Sequence, residues 1–338
     1  MKAAIYLSKE NIKIMEVKVP SISNSEALIK VKWAGICGTD LAIYKGDFKR
    51  VKPPLIMGHE FSGEIVEINP KNSSDFKKGD KVVVEPILPC KKCYACKMGN
   101  YNVCENFKIM GVDAPGCFAE FIKVPIENIY KISNNFAFDL AALVEPSAVA
   151  YHSVERSKLR AGDSVLVLGG GTIGVLIAEM AELWGASKVI ISEIMPYRIN
   201  FAKNKLGFYI INAGDTDVVE EVRKITGGRG ADVVFDASGA DVVSSKLIDL
   251  CRIGGNIIIT GLHKGFASLN FRGLTFKEIS LVGSRVYRYP DYEKTINLIK
   301  NNKDRFNSII VNKIELTDIV GEIERLNKGE GLKTLIKL

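Results

Sequence analysis

Residues Val165 to Gly174 read VLVLGGGTIG, and their reading decides the fold. A run of four apolar residues meets Gly169-Gly170-Gly171. Thr172-Ile173-Gly174 then opens a helical alternation through Val175, Leu176, Ile177, Met180, Ala181, Leu183 and Trp184. The pattern is strand, glycine turn, helix, with glycine at the three positions of G-x-G-x-x-G. Each glycine meets a separate need: Gly169 a tight turn, Gly171 the approach of backbone to a pyrophosphate, Gly174 close packing of helix on strand. The phosphates would sit at the helix N-terminus, beside Thr172 and Ile173, where unpaired N–H groups and the dipole favour negative charge.

A second apolar run, Val189-Ile190-Ile191-Ser192, ends in Glu193, nineteen positions after Gly174. A carboxylate about that far on, at the tip of the second strand, accepts hydrogen bonds from ribose hydroxyls and repels a 2′-phosphate. Arg198 lies close by, yet an acid at the strand tip favours NAD over NADP. A glycine triplet alone is a weak signal. With strand, helix, second strand and acid in register, Gly169, Gly171, Thr172, Ile173, Gly174, Glu193 and Arg198 are the expected cofactor contacts.

Outward from this unit, strands near Val165, Val189, Tyr209, Val233, Asn256 and Ser280 alternate with helical segments, which fits a doubly wound sheet. Residues 1 to about 145 have a different rhythm. Alternation in Ala27 to Lys32, Ser62 to Ile68 and Lys81 to Val84, with a Lys78-Gly79-Asp80 turn, predicts short strands of a β-rich, barrel-like domain. After about Arg285 an amphipathic helix (Tyr292 to Lys300) and closing strands are expected to return to the first domain. The expected class is α/β, with a β-rich domain at 1–148, a dinucleotide-binding domain at 149–285 and the return at 286–338.

The 338 residues suffice for about two domains, and 47% hydrophobic with 25% charged residues is an ordinary soluble composition. The net charge of +7 is spread along the chain. Its densest patch, Lys45 to Lys52, lacks the aromatic interleaving of a nucleic-acid surface, so no nucleic-acid partner is expected. No apolar run approaches the roughly 18 residues of a membrane span, and the charged start MKAAIYLSKENIKI reads as a strand pair, not a signal sequence. Seven cysteines, four of them within fifteen positions, suggest metal ligation in a reducing compartment; the expected location is cytoplasmic.

Those four are Cys90, Cys93, Cys96 and Cys104, in a lobe at about 88–106. Four thiolates are what a closed tetrahedral zinc site needs. The iron–sulfur alternative normally ends in a shorter gap followed by Cys-Pro, whereas Cys104 precedes Glu105. A second constellation is scattered: Cys37, Thr39 and Asp40 in GICGTD, His59 and Glu60 after Gly58, and Glu145 in LVEPS. Cys, His and Glu together suit zinc with room for a water or substrate oxygen, although no one of these residues is compelling alone.

The chain resembles the zinc-dependent medium-chain dehydrogenase/reductase family over essentially its whole length. The resemblance is carried by GICGTD (35–40), GHEFSGEI (58–65), the four-cysteine lobe, LVEPSAVAYH (143–152) and GGGTIG (169–174), in family order. It implies a GroES-like barrel before a Rossmann domain, and two zinc ions per chain, one catalytic and one structural. Cys37 and His59 would ligate the catalytic zinc, with Glu60 or Glu145 completing the set, and Asp40 would orient His59. Glu145 stands where liver-type alcohol dehydrogenases carry a third cysteine. Together with VVVEPI (82–87), it points to the polyol and vicinal-diol branch; GCFAE (116–120) is similar to threonine 3-dehydrogenases. The implied reaction is hydride transfer between a secondary alcohol of a small polyol or diol and NAD, with L-threonine 3-dehydrogenase as the nearest rival. A non-catalytic dinucleotide-binding protein on the same fold is the reading from another class.

Thr39 would pass the hydroxyl proton on, Tyr44 and Glu145 would contact substrate, and Glu85 is either part of the catalytic shell or a barrel residue. Many relatives finish the proton relay with a histidine five positions after the zinc cysteine. This chain has Ala42 there, leaving water, His152 or His263. A homodimer or homotetramer is expected.

Overall fold

Apolar residues fill the inward positions of strand β1 (Glu26–Gly35), where Ala27, Ile29, Val31 and Ala34 have no exposed surface. It pairs antiparallel with β2 (Glu60–Ile68), which pairs with β3 (Lys81–Val84). Val31, Ala34, Phe61, Ile65, Val82 and Val84 from these strands share one core with Phe118. Between β1 and β2 lies helix α1 (Gly38–Tyr44). The computed structural model describes residues 1–69 and 75–338. It divides into two units, Met1–Glu145 with Arg288–Leu338, and Pro146–Tyr287.

Helix α2 (Val144–Ser157) leads into the second unit. There β4 (Ser164–Leu168), β5 (Lys188–Glu193), β6 (Tyr209–Asn212), β7 (Ala231–Asp236), β8 (Cys251–Ile259) and β9 (Ser280–Gly283) form a wholly parallel sheet in the order β6-β5-β4-β7-β8-β9. All six strands stand where the sequence places them. The middle strand β4 is buried along its whole length, as expected for a parallel strand covered on both faces. Strand order reverses between β4 and β7, so the crevice at their carboxyl ends is the switch point where such sheets take ligands.

After β9 the chain returns to the first unit. Helix α3 (Tyr289–Asn301) begins three residues earlier than its apolar pattern, because Asp291 accepts the Arg288 N–H and Pro290 occupies the first turn. Strand β10 (Ile310–Glu315), helix α4 (Ile319–Asn327) and strand β11 (Lys333–Lys337) follow. β11 pairs in parallel with β10 and antiparallel with β1, setting Leu335 opposite Gly35.

One position tests the switch-point geometry. A Cβ on Gly174 would overlap the carbonyl oxygen of Gly169, a backbone atom that cannot rotate away. Gly174→Ala should therefore cost about 1–3 kcal/mol or more, as overpacking does. Thermal denaturation would show it as a melting temperature several degrees lower; a parental melting temperature would contradict this packing.

Candidate active site and dinucleotide turn

Cys37 is the N-cap of α1, and its sulfur accepts the Thr39 N–H at 3.5 Å. Asp40 Oδ2 returns to accept the Cys37 N–H at 2.9 Å. GICGTD is thus a capping box with a cysteine in the place of serine, which fixes the thiol where the strand becomes helix. Gly58 (φ +90°) packs against the Phe118 ring and leads His59 and Glu60 into β2, where Glu60 pairs with Gly35. A Cβ on Gly35 would overlap the Glu60 carboxylate.

These turns bring one ligand atom each of Cys37, His59 and Glu60 within 4.8 Å of one another. His59 and Glu60 are only 4% and 1% exposed, and Asp40 is fully buried. Burial opposes a charge on His59, but the Cys37 sulfur and the Asp40 and Glu145 carboxylates outweigh it and hold its pKa well above the usual value. Burial lifts the Asp40 carboxyl to about 6, against the pull of His59. His59 Nδ1 and Asp40 Oδ1 face each other at 4.0 Å, an ion-pair distance, and neither has a hydrogen-bond partner. A half-buried thiol with a buried imidazole and carboxylate, in negative surroundings, is a donor set that fits zinc. Glu145 is also buried and its charge reaches His59, but it is not one of the three residues whose donor atoms converge within 4.8 Å.

The four lobe sulfurs of Cys90, Cys93, Cys96 and Cys104 likewise lie within 4.8 Å of one another. The Cys90 N–H donates to Cys104 Sγ at 3.3 Å and the Cys93 N–H to Cys90 Sγ at 3.4 Å. The backbone N–H groups of Lys92 and Cys93 lower the Cys90 thiol to about 6. Backbone donors of this kind favour thiolate, the form a metal requires.

In the second unit Gly169 turns at φ +98°, and a Cβ there would lie 3.1 Å from Ser238 Cα. Gly171 caps helix Thr172–Leu183, with open space in front of it apart from Arg198 Nη1. Thr172 and Ile173 form the first turn of that helix. Glu193 does more than the sequence suggests. Its Oε2 accepts the Gly170 N–H at 2.8 Å, and Oε1 accepts the N–H groups of Ile194 and Met195 at 2.7 and 2.9 Å. Arg198 Nη1 stands 3.7 Å from Oε2. The acid therefore braces the glycine turn as well as marking the strand tip.

Comparison with known proteins agrees with both units. Residues 23–134 match the alcohol dehydrogenase GroES-like domain and residues 172–301 the zinc-binding dehydrogenase domain. The chain is 38% identical to the L-threonine 3-dehydrogenase of Pyrococcus furiosus over 96% of its own length and 94% of that protein. It is 32% identical to the sorbitol dehydrogenase of Bacillus subtilis, covering 99% and 97%. The crystal structure of 2R,3R-butanediol dehydrogenase from Bacillus subtilis superposes with a TM-score of 0.92 at 33% identity, covering 100% and 99%. The chain belongs to the zinc-dependent medium-chain dehydrogenase/reductase family.

This dehydrogenase has a residue at its site that sequence reasoning missed. Lys333, at the start of β11, has no exposed surface; its ammonium donates to Glu60 Oε2 and, at 3.0 Å, to the Ile36 carbonyl. One Glu60 oxygen is thereby engaged by a cation of the protein itself. The only sequence signal was a lysine opening the short strand-forming run Thr334-Leu335-Ile336; its burial is seen only in the fold. Tyr44, read from the sequence as a substrate contact, is 5% exposed and donates its hydroxyl to Glu324 on α4 at 3.0 Å, so its polar end is used inside the unit. Thr39 is half-buried beside Cys37. Glu85 does not join the Cys37 cluster: Oε2 accepts the Tyr130 hydroxyl at 3.3 Å, and burial pushes the carboxyl up to about 7 despite Tyr101 and Tyr130. His152 is buried on α2.

Removing one partner of a buried ion pair costs about 3–5 kcal/mol, because the other charge is stranded. Lys333→Met should lose that much in urea denaturation, and the double variant with Glu60→Gln should recover most of it. A single variant within about 1 kcal/mol of the parent would show that the pair carries no such charge. Glu85 predicts a pH effect. A folded pKa above the unfolded one penalises the folded state once pH exceeds the unfolded value, reaching a full penalty of roughly 3–4 kcal/mol above the folded one. Glu85→Gln should therefore stabilise the protein at pH 8.5 and not at pH 4, in paired melting curves.

Proposed function

We propose that this dehydrogenase oxidises a secondary alcohol of a small polyol or vicinal diol with NAD, at a zinc ion held by Cys37, His59 and a glutamate, Glu60 or Glu145. The observation that carries the reading is the convergence of half-buried Cys37 with buried His59 and Glu60 in a negatively biased site. A zinc ion there would supply Lewis acidity to a substrate oxygen, and the nicotinamide would supply a hydride acceptor. The protein's own residues do the rest. Asp40 fixes the Cys37 backbone and faces His59 Nδ1. Lys333 neutralises Glu60 and keeps that buried carboxylate from being an isolated charge. The Thr39 hydroxyl, beside Cys37, takes the proton of the substrate hydroxyl onward.

Glu145 in place of a third cysteine supports the polyol and diol reading, as does the likeness to sorbitol and butanediol dehydrogenases. Threonine 3-dehydrogenase is the second reading, favoured by the Pyrococcus relative and by GCFAE at 116–120. A non-catalytic role is disfavoured by the intact donor set. The lobe cysteines would hold a second, structural zinc. Seven free thiols suit a reducing, cytoplasmic setting, and no helix among the described residues is long and apolar enough to cross a membrane. A homodimer or homotetramer is the proposed assembly.

The deciding measurement is initial rates with NAD on polyols, vicinal diols, L-threonine and simple alcohols. Highest kcat/KM on a polyol or diol is expected; highest on threonine would replace the reading. His59→Ala should reduce turnover about a thousandfold or more while NADH binding, followed by fluorescence, stays near the parental value. A variant within tenfold of parental turnover would refute the role of His59. Glu193→Ala should weaken NAD and improve NADP relative to it; unchanged preference in steady-state kinetics would remove Glu193 from cofactor choice.

A further inference from the structure

At the carboxyl ends of β7 and β8 an imidazole lies between two carboxylates. His263 Nε2 is 2.9 Å from Asp236 Oδ2, and Nδ1 is 3.2 Å from Asp241 Oδ1. Ionised carboxylates only accept, so both contacts are hydrogen bonds when both ring nitrogens carry protons. Burial works against a charged ring, but hydrogen bonds to Asp241 and Asp236 outweigh it and raise the pKa of His263. Asp236 comes from the end of β7 and Asp241 from the first turn of the short helix Asp241–Ser244; the next residue along, Lys264, is exposed.

The clamp joins two loops that already touch through their backbones. Asp236 is fully buried, and Oδ1 accepts the Ser238 N–H, the Ser238 hydroxyl and the Gly239 N–H at 3.0, 2.7 and 3.3 Å. Its backbone carbonyl accepts the N–H groups of Thr260 and Gly261 at 2.9 and 2.8 Å. A Cβ on Gly239 would lie 2.7 Å from the Leu262 carbonyl oxygen. Gly169 in turn packs on Ser238. The loops after β4, β7 and β8 thus form one crest, and its outermost member is the least supported: Leu262 is 79% exposed, and Phe266 is fully exposed. Backbone bonds hold its start at Thr260 and Gly261, and His263 ties down the part beyond them.

The rest of the inference builds on the dinucleotide reading above. Glu193 marks the adenosine side over β5, and the pyrophosphate belongs at the glycine turn after β4. The other half of the cofactor then runs over β7 and β8. We propose that His263, as an imidazolium clamped between Asp236 and Asp241, is a positioning residue for the nicotinamide half of the cofactor. It fixes the loop Thr260–Lys264, while the adenosine half, held on the far side of β4, does not depend on it.

The test compares NADH with ADP-ribose, which lacks only the nicotinamide, by titrating the zinc-loaded parent and His263→Asn between pH 6 and 9. NADH should bind the variant about tenfold more weakly or worse, while ADP-ribose affinity, melting temperature and zinc content stay near parental. In the parent the two-sided clamp is present below the ring's pKa; as pH rises through it the ring keeps a single N–H and one of the two carboxylate bonds is lost. NADH affinity should fall over that rise, and His263→Asn should abolish the slope. Asp241→Asn, at a more exposed partner, should produce a smaller loss of the same selectivity and serves if the first variant fails to fold. Unchanged NADH affinity, or equal losses for NADH and ADP-ribose, overturns the proposal. A parent that binds neither ligand overturns the dinucleotide reading on which it rests.

Discussion

Burying charge is expensive, and the first unit buries a great deal of it around one point. Cys37, His59 and Glu60 converge beside β1, α1 and β2, with Asp40 and Glu145 buried close by, and Lys333 brings a cation to Glu60. Such a set is tolerable only when paired or liganded. Much of the surrounding architecture follows from that demand. β11 lies against β1 and delivers the lysine, Gly35 has no side chain because the Glu60 carboxylate occupies that space, and Gly58 turns tightly beneath the Phe118 ring.

The second unit meets a different constraint, the close approach of backbone to backbone. Gly174 lets its helix settle on Gly169, Gly169 lets its loop settle on Ser238, and Gly239 does the same against Leu262. A row of loops with so little side chain between them leaves the helix N-terminus open toward a ligand. Side-chain bonds then hold the row at both margins, Glu193 at Gly170 on one side and His263 between its two aspartates on the other. Loops packed closely on one another at the end of a parallel sheet are a sound base for a cofactor that must present one carbon accurately.

What could be read from the sequence was local. The strand–glycine–helix run, the lobe cysteines and the six strands of the parallel sheet each lie within a short window, where spacing alone states the geometry. Cys37, His59 and Glu60 were recognisable as ligand types, though only the resemblance joined them. What could not be read was long-range pairing. Glu60 and Lys333 are 273 positions apart, and no periodicity predicts which buried lysine meets which buried carboxylate. Tyr44 shows the same limit: its place after Cys37 suggested the substrate, whereas its hydroxyl reaches Glu324, 280 positions on. Glu193 was placed correctly at the strand tip, but its bonds to three backbone N–H groups depend on how the loop folds back.

The order in which the polypeptide is made gives the Glu60–Lys333 pair another meaning. A ribosome finishes residues 146–287, a sheet complete in itself, while the first unit still lacks its segment 288–338. Until β11 arrives, the end of β1 at Trp33–Gly35 lacks its partner strand and Glu60 lacks its lysine. Domains generally form as units during synthesis, so the later-starting one can be native before the earlier one closes. The nascent protein therefore carries an unpaired strand end beside the Cys37, His59 and Glu60 cluster until its last segment is made, and an unpaired strand end is a place where pairing with a neighbour can start.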